Sequence, residues 1–303
     1  MAFFNEAWFI HAVDDNVTQL SQQKMSRVMG ATRMKNQVIG KTCPFNRLAP
    51  AEMTSQVSRD ADTVYINPTQ SKRRAILRDF VLAVLVDEFD EVKTLTNPQS
   101  EFAMMLAMGR NRKLDDFILA PSTSGSGGAL GTATTVDEGA ESTSSTAFDT
   151  TNKRVAAGGT GLTVAKVATA KEKMDTAEVD AEDRYFFYSG DQIRQLLADA
   201  TNRAASRDFT TIESIANGGF PMDATWYGFK WRMSHRIPLS GTTRSAIAMQ
   251  KNAVGLAVGL MQEVSIDKAV HKNNNTQVLI KLSGGGVRID DDGVIEIQTV
   301  TTA

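Results

Sequence analysis

Residues 97–121 read NPQSEFAMMLAMGRNRKLDDFILAP, and the plan of the chain turns on this stretch. Asn97 has the side chain of an N-cap, and Pro98 suits the first helical position, where a missing N–H costs nothing. Phe102, Met105 and Leu106 share one helical face, with Ala103 and Ala107 beside them and Leu114 two turns on. Gly109-Arg110-Asn111-Arg112-Lys113 loads the C-terminal end with cations, which the helix dipole favours. The spacing predicts a helix over 97–114. Asp115-Asp116 then breaks into Phe117-Ile118-Leu119-Ala120, a short apolar run with the look of a strand. The chain before the helix reads as arm and hairpin, and the chain after it as a compact α+β body. An arm needs something to hold it, and another subunit is the natural candidate.

Upstream, residues 1–30 scatter Phe3, Phe4, Trp8, Phe9, Val13, Val17 and Leu20 among polar side chains. So much aromatic surface is a liability in water. Either a terminal helix packs on its own core, or an arm docks on a neighbour. Asp62-Thr-Val-Tyr-Ile66 is a brief β-like run, and Ala75 to Val86 a long apolar one, with Phe80 in it. Around a polar turn at Thr69-Gln70-Ser71 they predict a long hairpin. Its second strand is apolar enough to aggregate unless covered. Lys72-Arg73-Arg74 at the tip reads either as a solvated turn or as a charged contact to a neighbour.

Downstream, residues 122–160 are rich in Ser, Thr and Gly and predict a long loop or flexible insertion, whose Thr and Ala residues could form a surface hairpin. A helix through Val164, Val167, Ala168, Lys171 and Met174 ends near Glu178. Arg184 to Tyr188 reads as a buried strand, and Ser189 with Gln192 as a capping box opening the helix of Ile193, Leu196, Leu197 and Ala200. Trp226 to Ser234 alternates like one half-buried strand. Arg244 to Met249 is a further short strand, and Ala253, Leu256, Ala257 and Leu260 mark a short helix. Val278-Leu-Ile280, a bend at Gly284-Gly285-Gly286, Val287-Arg-Ile289, a turn at Asp290 to Gly293, and Val294 to Val300 predict C-terminal strands. The fold class is α+β without a βαβ repeat.

Lys plus Arg number 33 against 35 Asp plus Glu, a net charge of −2, which is too balanced for a dedicated nucleic-acid binder. No apolar run of roughly 18 residues exists, so no membrane partner is expected. The single Cys43 excludes an internal disulfide framework and fits a reducing compartment. The N-terminus lacks the pattern of a secretion signal, and a soluble intracellular product is expected.

The search for chemistry is mostly negative. Gly40-Lys41-Thr42 has the tail of a phosphate-binding loop, but Lys35 stands where the motif needs its first Gly. His11, His235 and His271 are scattered without ligand spacing, so no metal and no cofactor are expected. A Ser-His-Asp triad assembles only in space, yet no Gly-x-Ser-x-Gly elbow is present. Asp290-Asp291-Asp292-Gly293 lacks the trailing acid of a calcium loop and reads as a hairpin turn. The expectation is a protein that is not an enzyme and has no catalytic residues.

The order of parts resembles the major capsid proteins of tailed phages, the fold first described in phage Hong Kong 97. Met104 to Phe117 resembles the end of that family's spine helix. Gly161-Leu-Thr, Arg184-Tyr-Phe-Phe-Tyr-Ser-Gly-Asp-Gln192 and Leu196-Leu197 look like the opening of its axial domain, and Asp208-Phe209, Gly218-Gly219 and Trp226-Tyr-Gly-Phe229 like the next segment. The resemblance implies an N-terminal arm over 1–40, an extended hairpin loop over 41–92, and a peripheral domain over 93–179. That domain would hold the spine helix at 97–114 and the insertion at 122–160. An axial domain would follow over 180–265, with a return to the peripheral domain over 266–303.

It further implies self-assembly into pentamers and hexamers of an icosahedral bacteriophage shell around double-stranded DNA, held by non-specific contact. Assembly would occur in the host bacterial cytoplasm and the product would reside in the virion. No long charged prodomain precedes the arm, so a separate scaffolding protein is implied, with a portal and a decoration protein as further partners. On this reading Trp8, Phe9, Tyr65, Lys72, Arg73, Arg74 and Phe80 are the intersubunit contacts. Rival readings are an encapsulin-type cellular shell, a tail-tube or other phage structural protein, and an enzyme with an unrecognised site.

Overall fold

The structure, a computed structural model, describes residues 21–56, 58–60, 62–87, 99–120, 127–137, 143–198 and 222–301. Sixteen strands and three α-helices are found among them. The strands are β1 (Arg33–Lys35), β2 (Thr42–Leu48), β3 (Gln70–Ile76), β4 (Arg78–Val86), β5 (Ala133–Asp137), β6 (Thr143–Thr146), β7 (Arg154–Val155) and β8 (Arg184–Tyr188). They continue with β9 (Ala224–Trp226), β10 (Phe229–Met233), β11 (Leu239–Ser240), β12 (Thr243–Gln250), β13 (Val254–Met261), β14 (Ser265–Ala269), β15 (Asn275–Arg288) and β16 (Val294–Val300). The helices are α1 (Gln99–Leu119), α2 (Val164–Thr176) and α3 (Gly190–Ala198).

Three sheets organise the chain. A five-stranded sheet runs β1-β13-β15-β14, with β4 on the other edge of β15. A seven-stranded sheet runs β7-β16-β12-β8-β10-β9, with β11 on β12. A four-stranded antiparallel sheet runs β2-β3-β5-β6. One core lies where Leu114, Phe117 and Ile118 of α1 meet both larger sheets through Leu256, Leu282, Phe187 and Met249. A second sits under α2 and α3, where Val167, Met174 and Leu196 cover Phe186, Phe229, Trp231 and Ile295 of the seven-stranded sheet.

The helix at the centre of the sequence runs on to Leu119, so Phe117 to Ala120 do not form the expected strand. Asp115 and Asp116 fail to break it because each is buried against donors from elsewhere in the chain. The positions of Asn97 and Pro98 lie outside the described residues.

The hairpin exists, but its strands are placed differently. Thr42–Leu48 pairs with Gln70–Ile76, from Thr42↔Ile76 to Leu48↔Gln70. Its tip is therefore the segment between β2 and β3, and the expected strand at 62–66 is irregular. Lys72, Arg73 and Arg74 belong to strand β3 instead of a turn. After a one-residue break at Leu77 the chain leaves the four-stranded sheet and continues as β4 on β15.

Part of the expected insertion is structural. β5 and β6 form the surface hairpin that the Thr and Ala residues allow, and it extends β3. β7 adds a parallel edge to β16. Residues 226–234 make two strands: Tyr227 and Gly228, at φ +52° and +81°, form the tight turn between β9 and β10. The helix expected at 253–260 is strand β13. Val254 to Val258 are all buried, and a continuous apolar run in a covered sheet does not reveal its period. The capping box is half realised: Ser189 N–H donates to Gln192 Oε1 at 2.9 Å.

Gly284-Gly285-Gly286 is no bend. The fourteen-residue β15 passes straight through it. A Cβ on Gly286 would stand 2.4 Å from Ile118 Cδ1, and one on Gly285 would stand 2.0 Å from the Ile76 carbonyl oxygen. The glycines let α1 and the β3–β4 junction approach the strand backbone. The sheets also cut across the sequence divisions: β13 from the central segment pairs with β15, while the final strand β16 joins β12 in the seven-stranded sheet.

Candidate assembly surfaces

Two regions present surface that the described residues leave uncovered, and a third anchors the start of the described chain. The first is the hairpin tip. Leu48, Met53, Val64, Tyr65 and Ile66 are all exposed, Tyr65 at 90% and Met53 fully. Burying such side chains is worth about 1.5–3 kcal/mol each, so a tip of this composition favours a covering surface.

The hairpin's base, by contrast, is locked down. Phe45 is fully buried with Cys43, Ala75 and Val287. Arg73 is 2% exposed and makes a two-point ion pair with Asp291, Nη2 to Oδ2 at 2.6 Å and Nη1 to Oδ1 at 3.2 Å. Arg288, fully buried, donates from Nε to the same carboxylate at 2.5 Å and from its Nη atoms to the carbonyls of Ala129, Gly131, Thr146 and Ala147. Burial pushes the Asp291 carboxyl up, but the hydrogen bonds and charges of Arg73 and Arg288 together hold it below the usual carboxylate range. Two segments far apart in sequence thus meet on one acid, and Arg288 ties a third to it through its own carbonyl acceptors.

The second region is β4. It pairs with β15 on one edge only, and among the described residues its other edge has no strand. Val81, Leu82 and Leu85 are exposed. Phe80 turns inward, 5.5 Å from Phe117 between ring centroids, with Lys113 Nζ 4.3 Å above its ring. An edge apolar from Phe80 to Val86 is a template for another chain unless something covers it.

The third region is the start of the described chain. Asp115, fully buried on α1, accepts from Ser26 Oγ at 2.6 Å, Arg27 N–H at 2.9 Å, Val28 N–H at 3.1 Å and Gln23 Nε2 at 2.5 Å. Burial pushes its carboxyl above the ordinary value, and these hydrogen bonds only partly offset that. Asn111 donates to the Lys24 carbonyl at 2.8 Å, and Arg232 to those of Arg27 and Met29. Asp116 takes a two-point contact from Arg236 at 2.5 and 2.7 Å.

Of the expected contact residues, Tyr65 and Lys72 are exposed and Arg74 is half-buried on the hairpin. Arg73 is spent inside its own chain and Phe80 packs on α1. Trp8 and Phe9 lie outside the described residues. The sequence reading missed Asp115, Arg232, Arg288 and Lys166. The Lys166 amine is nearly buried and donates to the carbonyls of Ala157, Thr160, Gly161 and Gln298, and burial lowers its pKa. The signal for such groups was a charge standing inside an otherwise apolar or small-residue run.

Among the described residues no group of His, Cys, Asp and Glu is arranged to hold a metal ion. His235 and His271 are exposed and far apart in sequence. Gly40-Lys41-Thr42 leads into strand β2 and no helix follows, so the backbone offers no phosphate cradle there. Asp291 in the acidic turn is committed to two arginines. No helix among the described residues is long and apolar enough to cross a membrane.

A family model described as phage capsid protein matches residues 6–301. No curated protein matches the chain by sequence. Among solved structures, the capsid of Ralstonia phage GP4 superposes with a TM-score of 0.71 at 12% identity, covering 100% of this chain and 98% of that one. A Mycobacterium phage Che8 chain gives 0.68 at 12% identity, with 98% of each chain covered. The acid-stable capsid of Helicobacter pylori bacteriophage KHP30 gives 0.66 at 11% identity, covering 100% of this chain and 99% of that one.

Proposed function

The chain belongs to the phage capsid protein family, and with that membership as premise we propose how its surfaces close a shell. The protein is a major capsid protein with the Hong Kong 97-like fold, and its partner is first of all itself. The encapsulin and tail-tube readings are not favoured, since the family match spans almost the whole chain.

On our reading, copies gather into pentamers and hexamers of an icosahedral shell enclosing double-stranded DNA. The hairpin of each copy reaches over its neighbour. Tyr65 and the apolar residues of the tip supply buried area, and Lys72 and Arg74 supply charged contacts at the flank. Phe80 keeps the strand below the hairpin seated on α1. A network of many modest contacts suits a shell, since closed symmetry repeats each of them in every copy. The role is structural and needs no catalytic group. A separate scaffolding protein, a portal and a decoration protein complete the proposed set of partners, with assembly in the host cytoplasm.

The observation that carries this reading is the contrast within the hairpin: a base fixed by Phe45 and Arg73 holds out a tip whose apolar side chains are each more than half exposed among the described residues. The test is negative-stain electron microscopy of the protein expressed alone and with its neighbouring genes. The wild type is expected to give closed shells in at least one preparation. A variant with residues 50–68 replaced by a short Gly-Ser linker is expected to give only small, folded species. Shells from the shortened variant would overturn the hairpin's role, and small species from every wild-type preparation would overturn shell closure.

A further inference from the structure

We propose that the polar cleft between the seven-stranded sheet and the insertion binds a neutral saccharide of one or two rings. The cleft has a volume of about 610 Å³, within the roughly 300–1,000 Å³ usual for small-molecule sites.

The floor of the cleft follows from strand register. Arg154 on β7 lies opposite Glu296 on β16, and Ser245 on β12 lies opposite Gln298. Side chains two residues apart on a strand share a face. Glu296 and Gln298 therefore line the cleft, while Ile295 and Ile297 enter the core under α2 and α3. Gly131, Thr132, Phe148 and Thr150 of the insertion form the opposite wall. Arg288 fixes that wall by donating to the carbonyls of Gly131 at 2.8 Å and Ala147 at 3.1 Å. Asp149 holds the turn that carries Thr150 by accepting from the Thr151 and Asn152 N–H groups at 2.9 and 3.1 Å. A site built in advance spends little free energy on ordering itself around a ligand.

Three observations point to a neutral, hydroxyl-bearing occupant. The first is balanced charge. Glu296 is 5% exposed and accepts from Arg154 Nε at 2.5 Å and from Ser245 Oγ at 2.6 Å. An anion in the cleft would meet this carboxylate, and a cation would meet the guanidinium. The second is a set of open donors. Only the Nε of Arg154 is bound, and its two Nη groups have no partner among the described residues. A guanidinium fork beside a carboxylate offers donors and an acceptor together, which suits neighbouring hydroxyls that each donate and accept. The third is the lining itself. Thr132, Thr150, Ser240, Thr243 and Ser245 bring five hydroxyls to the cleft, which an apolar ligand would leave unmatched. Phe148 and Pro238 add apolar surface for the C–H face of a sugar ring, and Arg288 braces the Phe148 ring from 5.2 Å. The shell reading makes no use of this cleft, so saccharide binding is a property beyond it.

The test is saturation-transfer NMR on dissociated subunits of the full chain with maltose, cellobiose, lactose or diacetylchitobiose at millimolar concentration, and inorganic phosphate as competitor. The expected result is transfer to at least one of these sugars, undiminished by phosphate. Arg154→Lys keeps a cation on Glu296 but loses the planar fork, and is expected to weaken binding about tenfold. Thr243→Val, at a half-buried position of the wall, is expected to weaken it about fivefold and keeps the test decisive if Arg154→Lys does not fold. No transfer to any of the four sugars from subunits folded by circular dichroism would overturn the proposal. Displacement by phosphate would assign the cleft to anions and overturn it as well. Binding unchanged in both variants would put the sugar elsewhere and overturn the cleft as its site. Shell formation is read separately, by microscopy of the wild type, so failure of the saccharide site and failure of the shell reading remain distinct.

Discussion

Arg73 on the hairpin and Asp291 in the C-terminal turn, 218 residues apart, face each other through two hydrogen bonds, and the same carboxylate also receives Arg288. Removing the charge while keeping the shape, Asp291→Asn, leaves two buried guanidinium groups without a counter-charge. Breaking a buried pair costs about 3–5 kcal/mol, but the Asp291 side chain is one-third exposed, so about 2–3 kcal/mol is the expected loss. Urea unfolding of dissociated subunits measures it. An unchanged midpoint would refute the node's importance.

The same carboxylate sets a pH dependence. Its folded pKa lies below the unfolded value, so the stability it contributes is fully present above pH of about 4 and is lost as pH falls through the folded pKa. The wild-type advantage over Asp291→Asn is therefore expected to be flat from neutral pH to about pH 5 and to shrink below about pH 4. Asp115 works in the opposite sense. Burial raises its pKa, so its contribution is present below the unfolded value and lost as pH rises through the folded one. Unfolding midpoints for both Asn variants across this range separate the two signs.

The hairpin's three consecutive cations should divide into two kinds. Arg73→Glu sets a second carboxylate against Asp291 in a buried site and is expected to cost at least about 3 kcal/mol of subunit stability. Lys72→Glu with Arg74→Glu changes exposed and half-buried positions and should shift subunit stability by less than about 1 kcal/mol while lowering the yield of shells. Thermal melting and particle counts, taken together, check it. Equal loss of stability in both variants would show that the triplet acts as one structural unit.

Asp115 anchors the start of the described chain through Gln23, Ser26, Arg27 and Val28. Asp115→Ala takes that acceptor from the Ser26 hydroxyl and the Arg27 and Val28 amides and is expected to cost about 3 kcal/mol. Asp115→Asn keeps one acceptor oxygen and removes a charge that burial disfavours, so about 1 kcal/mol is expected. Hydrogen exchange at the Arg27 and Val28 amides should accelerate strongly in the first variant and weakly in the second.

Why these anchors escaped the sequence is physical. Periodicity exposed the helix from Phe102 to Leu114, the buried run Arg184 to Tyr188 and the helix around Met174, because each has one clear face or none exposed. The order of those parts carried the family resemblance. Local patterns misled wherever a distant partner decides the outcome. Asp115-Asp116 looks like a helix stop until the amides of Arg27 and Val28 and the guanidinium of Arg236 are brought to it. Lys72-Arg73-Arg74 looks like a turn until Asp291 is placed opposite. Val254 to Val258 is buried on both faces, so neither a period of 2 nor one of 3.6 is imposed on it.

The three glycines of β15 offer the sharpest test of that last class of error, since a bend and a strand predict opposite responses to alanine. In a solvent-facing bend with positive φ, alanine costs about 1 kcal/mol through the backbone alone. None of the three has positive φ, and each faces a different obstacle. A Cβ on Gly284 meets the ring edge of Phe117 at 2.8 Å and the Ala257 carbonyl oxygen at 3.1 Å, a milder overlap than at the other two positions. On Gly286 it meets Ile118 Cδ1 at 2.4 Å and the Phe117 carbonyl at 2.7 Å, so helix backbone as well as side chain must move. On Gly285 it meets the Ile76 carbonyl at 2.0 Å, and that backbone is the point where the hairpin strand changes sheets. The expected order of damage is Gly284→Ala, at about 2 kcal/mol, then Gly286→Ala, then Gly285→Ala, which should yield no folded subunit. Expression and thermal melting of the three single variants decide it. If all three lose the same small amount, the strand does not run against α1 and β3 as described, and the bend inferred from the glycine triplet stands.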